Sequence, residues 1–109
     1  MFNVNSKPVF QTTVRLAAVV DAGAEPPSFK ATYRALSDKE FEASDRSSVD
    51  GVKAFLRSVV VTVDDLVDDA GKPVAYTEAL REDLLDRQFM RAALMVGYFD
   101  AVVGYRLGN

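Results

Sequence analysis

Between Phe10 and Val20 the chain alternates with a period of two. Phe10, Thr12, Val14, Leu16, Ala18 and Val20 fall on one face, and Gln11, Thr13, Arg15, Ala17 and Val19 on the other. Alternation rich in β-branched residues predicts a strand over about 10–20. "DAGAEPP" follows, a linker whose two prolines stop both a helix and a central strand. Alternation then resumes in "SFKATYRAL", where Phe29, Ala31, Tyr33 and Ala35 oppose Lys30, Thr32 and Arg34, predicting a second strand over about 28–36. Two such strands joined by a turn-rich link predict an antiparallel hairpin with one face on a core and one in water.

At Ser37 the period changes. "SDKE" is a capping box: the Ser37 hydroxyl can accept from the Glu40 N–H while the Glu40 carboxylate reaches back. A helix over about 38–46 follows from it. Ser48 is the expected cap of the next helix, about 49–62, in which Val49, Val52, Phe55, Leu56, Val59, Val60 and Val63 are spaced for one apolar stripe. The β-branched end of that stripe, Val59 to Val63, reads equally as strand. Thr77 caps a third helix over about 78–86, with Glu78 in its first turn complementing the dipole. Asp86 is placed to cap the last, over about 87–105. Strands first and helices afterwards, with no repeat and no low-complexity segment, predict one α+β domain spanning 1–109: an N-terminal antiparallel β-hairpin followed by three to four helices.

Composition narrows the chemistry. The chain has no cysteine and no histidine, which removes disulfides, thiol nucleophiles, thiolate zinc sites and imidazole bases together. A net charge of −3 and the lack of a basic tract give no expectation of nucleic-acid binding. The longest apolar run, Ala92 to Tyr105, contains Asp100 and is shorter than the roughly 20 residues that span a bilayer, so no membrane association is expected. Serines 37, 44, 47 and 48 cluster without a histidine or a suitably spaced lysine to activate one. "GKP" lacks the framework of a phosphate-binding loop. No catalytic, metal or cofactor residue is therefore predicted.

Two stretches remain as candidate sites. Asp64, Asp65, Asp68 and Asp69 crowd in front of Gly71-Lys72-Pro73. An EF-hand register with Gly71 at its sixth position puts Leu66, Asp68, Ala70 and Thr77 at positions 1, 3, 5 and 12, where only Asp68 fits. "DDAGKP" reads instead as a tight turn with a solvated acidic shoulder, docking a partner being the alternative. In the last helix Ala93, Gly97 and Ala101 recur every four residues, with Gly104 close behind, and apolar side chains occupy nearly every other side. A helix apolar all round must be covered all round. It reads as the central core helix, or as one whose face of Tyr98, Val102 and Tyr105 meets a partner or another copy.

In order, "FKATYRAL", "SDKE", "FLRSVVV", "DDAGKPVAYT" and "LLDRQFMRAALMVGYFDAVVG" resemble the tail assembly chaperones of long-tailed bacteriophages and prophages, over about Thr13 to Gly104. A tryptophan that often follows the "VVV" segment in that family has no counterpart here, where Val63 stands. The resemblance implies a non-enzymatic, self-associating protein of the bacterial host cytoplasm, absent from the finished virion. It would bind the tape-measure protein, keep it soluble and help recruit tail-tube subunits. Many such proteins are made in two lengths by ribosomal frameshifting, and "YRLGN" would then end the short form. A small acidic inhibitor or adaptor of phage origin is the alternative function.

Overall fold

The computed structural model describes Met1, residues 8–16 and residues 27–106, the last four by their helical backbone alone. Seven elements follow in order: β1 (Val9–Arg15), β2 (Ser28–Arg34), α1 (Asp38–Ala43), α2 (Val49–Val59), β3 (Val60–Asp64), α3 (Glu78–Leu85) and α4 (Gln88–Arg106). The strands form one antiparallel sheet in the order β1-β2-β3. The predicted hairpin is present: Val14 pairs with Phe29, Thr12 with Ala31 and Phe10 with Tyr33, all turned toward the helices. β1 closes at Arg15 and β2 at Arg34; the expected continuation over 17–20 lies outside the described residues.

Three caps predicted from the sequence are in place. Ser37 and Glu40 form the reciprocal box that starts α1, Ser48 accepts from the Gly51 N–H at the head of α2, and Thr77 accepts from the Leu80 N–H at the head of α3. Asp86 does something else. Its backbone N–H donates to Glu82 and closes α3, while its carboxylate accepts from Lys53 Nζ at 3.1 Å. α1 is also shorter than expected, because Ser44 and Arg46 take up the Phe41 carbonyl and end the helix at Ala43.

The expected second helix does not reach residue 62. α2 stops at Val59 and β3 begins at the next residue, Val60. Thr32 pairs with Thr62 but Tyr33 with Val60, so Val61 is an extra residue bulging from the ladder. The bulge lets Val60 and Val63, three residues apart, both point into the core while Val61 faces out. That spacing mimics the helical stripe, and strand pairing with β2 overrides it.

The core gathers Val14, Phe29, Ala31 and Tyr33 from the hairpin, Phe55, Leu56 and Val59 from α2, Val60 and Val63 from β3, Leu84 and Leu85 from α3, and Met90, Leu94 and Tyr98 from α4. α4 lies against β1 and β2 and also touches α2 and α3. It is the central helix that the sequence predicts. Its seat is cut to shape at Gly97. A Cβ there would stand 2.5 Å from Tyr33 Oη and 2.8 Å from Val14 Cγ2. Through that notch the fully buried Tyr33 donates its hydroxyl proton to the Leu94 carbonyl, 2.8 Å away. Burial, reinforced by Asp100, raises the Tyr33 phenol far above its ordinary value, so it remains a donor.

Outside the core, Arg57 of α2 grips Glu82 of α3 with two nitrogens, at 2.7 to 3.0 Å. Arg81 brings a third nitrogen to Glu82, its Nε donating at 2.9 Å. Hydrogen bonding from Arg57, chiefly, holds the Glu82 carboxyl down from 4.5 to about 2.

Gly97→Ala should lower stability to urea by about 1–3 kcal/mol through overpacking, even though alanine is the better helix former. Tyr33→Phe should relieve part of that loss when the two changes are combined, giving a measurable coupling in a double-mutant cycle. For Glu82, the folded carboxylate stays ionised to about 2 while the unfolded one protonates near 4.5. Its contribution is complete above the ordinary value and fades as pH falls through that window. The melting temperature of Glu82→Gln should lie below that of the wild type at neutral pH, and the gap should close toward pH 2.

Candidate functional site

The acidic stretch is a small hairpin. The Asp68 carbonyl accepts from the Gly71 N–H and the Asp68 N–H donates to the Lys72 carbonyl, both at 2.9 Å. Gly71 sits at φ 77°, the left-handed glycine that completes a three-residue hairpin loop. Val67 bridges Pro73, and the Val74 N–H donates to the Leu66 carbonyl at 2.8 Å. Asp68 Oδ1 also accepts from the N–H groups of Ala70 and Lys72, at 2.9 and 3.0 Å. One of the four aspartates is therefore a turn-builder. Asp65 takes the left-handed conformation, φ 65°, which a short polar side chain tolerates, and swings the chain out of β3. All four side chains are exposed, and among the described residues Asp64, Asp65 and Asp69 make no ion pair. No cluster of three or more potential metal-ligating side chains occurs among the described residues.

α4 has two unlike sides. The small-residue stripe is intramolecular: Gly97 is buried against Tyr33 and Val14, and Ala93 and Ala101 are partly buried against the core. Tyr98, which the alternative reading of this helix put on a partner face, is 3 % exposed, as a core helix requires. Its ring meets Tyr33, Phe41, Phe55 and Phe99 at centroid distances of 5.2 to 6.3 Å. Val102 packs partly on the core, and the Tyr105 side chain lies outside the described residues. Of that alternative partner face, Tyr98 and Val102 are thus turned toward the core, because the Gly97 notch seats their side of the helix on the sheet.

The open side carries Phe89, Val96 and Phe99, exposed to 42, 60 and 41 %, with exposed Ala92 between them. Their spacing of three, four and three residues is that of a heptad seam. The signal was present in the sequence as positions 89, 92, 96 and 99, but an almost wholly apolar helix hides any one stripe among the rest. Only the orientation imposed at Gly97 picks it out. An exposed apolar stripe of this kind is a candidate interaction surface.

Among the described residues, no helix is long and apolar enough to cross a membrane. No protein-family model, curated protein or solved structure matches the chain.

The hairpin geometry separates structural from free acids. Asp68→Ala should cost about 0.5–2 kcal/mol by orphaning two backbone donors. Gly71→Ala should cost about 1–2 kcal/mol, since a Cβ is disfavoured at that φ. Asp69→Asn should change stability by less than about 0.5 kcal/mol. Equal losses for Asp68→Ala and Asp69→Asn in chemical denaturation would refute this division of roles.

Proposed function

We propose that this chain is a non-enzymatic tail assembly chaperone of a long-tailed bacteriophage or prophage, working in the bacterial host cytoplasm and left out of the virion. It holds the tape-measure protein soluble, helps bring tail-tube subunits to it, and associates with further copies of itself. The observation that carries this reading is the uncovered seam of Phe89, Ala92, Val96 and Phe99 on α4. A helix with such a seam takes up another amphipathic helix by lodging side chains between those of the partner. A long, aggregation-prone helical protein is the kind of client that this surface shields. The ordered resemblance of the chain's segments to the chaperone family supports the same reading. Binding rather than catalysis also agrees with a chain that has neither histidine nor cysteine to activate a nucleophile.

The test is co-expression with the candidate tape-measure protein of the same genome, with light-scattering mass measured on the recovered complex and on the free chain. A soluble complex holding several copies of this chain is expected. Ala92→Glu/Val96→Glu, two changes at exposed positions of the seam, should leave the circular dichroism spectrum intact and reduce capture at least about tenfold. No association, with a strictly monomeric free chain, would overturn the reading in favour of a small acidic inhibitor or adaptor.

A further inference from the structure

A concavity of about 730 Å³ opens between the edge strand β3 and the segment that leads into α3. Thr62, Val63 and Asp64 line one side, and Val74, Ala75 and Tyr76 the other. The two segments leave the acidic hairpin side by side and then part. Among the described residues, the Val74 N–H to Leu66 carbonyl bond is the last backbone link between them. Beyond it β3 has, among the described residues, one strand neighbour, β2, so its outer edge presents backbone N–H and C=O groups with no described strand beside them. Val63, Leu66, Val74 and Ala75 make much of the lining apolar, and Asp64 and Asp65 add two exposed carboxylates to it. Asp68 and Asp69 add to the negative field from the hairpin tip. Lys30, paired across the sheet from Asp64, and Lys72 offset only part of it.

An open strand edge, an apolar lining and exposed carboxylates select the same kind of occupant. We infer that this cleft receives an extended polypeptide segment of a partner protein, paired through its backbone to the edge of β3. The segment carries apolar side chains at alternate positions and Lys or Arg beside Asp64 and Asp65. Strand addition supplies backbone hydrogen bonds, and the alternate side chains, which point to opposite faces, supply selectivity. The opposite charges set the register and speed the encounter. About four residues, each advancing about 3.3 Å, run along the open part of the edge. The inference concerns a surface other than the α4 seam and does not rest on it.

The probe is a fluorescein-labelled synthetic octapeptide of alternating valine and lysine. It is compared with a glutamate-for-lysine analogue and with one N-methylated at alternate backbone nitrogens. Fluorescence polarisation would read affinity, and amide chemical shifts would read location. The lysine peptide should bind, with shifts confined to residues 61–67 and 73–76, and both analogues should bind at least about tenfold more weakly. Asp64→Asn/Asp65→Asn keeps a residue that tolerates the left-handed turn and should weaken the lysine peptide about three- to tenfold. Added salt should act in the same direction. Binding of the glutamate analogue equal to that of the lysine peptide, shifts centred on α4, or no binding by any of the three would overturn the inference. Loss of peptide binding in Asp64→Asn/Asp65→Asn with tape-measure capture intact would separate this cleft from the α4 seam.

Discussion

The structure depends on one contact across its middle: the Tyr33 hydroxyl of the hairpin donating into α4 at the Leu94 carbonyl. A phenol with no solvent exposure is costly unless its hydroxyl is satisfied. Here the satisfaction comes from a helix backbone, which is reachable only because Gly97 has no side chain in the way. The same contact fixes how α4 is rotated about its axis. With Gly97 turned to the sheet, Met90, Leu94 and Tyr98 go inward, and Phe89, Val96 and Phe99 are left outside. The position of the exposed apolar stripe is in this sense a by-product of how the core was closed.

Aromatic packing spreads that constraint outward. Tyr98 stands beside Tyr33 at 5.7 Å and Phe55 at 5.2 Å, and Phe41 stacks on it from α1 at 6.3 Å. Arg46 lies over the outer face of Phe41, 3.6 Å from its centroid, so a helix of only six residues is clamped between a cation and the core. The connection to α2 is equally tight. Asp45 accepts from the N–H and hydroxyl of Ser47 and from the hydroxyl of Ser48, contacts that lower its carboxyl, the Ser47 backbone first. A Cβ on Gly51 would collide with the Asp45 carbonyl, so this glycine too marks a close approach.

At the other edge of the sheet, the bulge at Val61 and the left-handed turn at Asp65 show how the chain leaves one regular element without starting another. A bulge bends an edge strand and discourages indiscriminate pairing with other sheets. What remains open beside it is short, flanked by carboxylates, and walled by the segment from Val74 to Tyr76. Carboxylates beside such an edge disfavour pairing with acidic strands.

Much of this was legible in the sequence. Period-two alternation located both hairpin strands and sorted their residues into two faces, and the Ser37–Glu40 box, Ser48 and Thr77 located three helix starts, because these features depend on residues within one turn of one another. "DDAGKP" likewise announced its turn, since the Asp68 and Gly71 chemistry is local. The rest waited on long-range contacts. Val60 and Val63 satisfy helical spacing as well as a bulged strand, and pairing with β2, about thirty residues earlier in the chain, decides between them. α4 is apolar on nearly every side, so its residues alone could not say which stripe would be left open. The sequence by itself determined the α+β class, the caps and the acidic turn. Only the tertiary structure decided the third strand, the open face of α4 and the cleft beside β3, because each is set by what a distant segment covers.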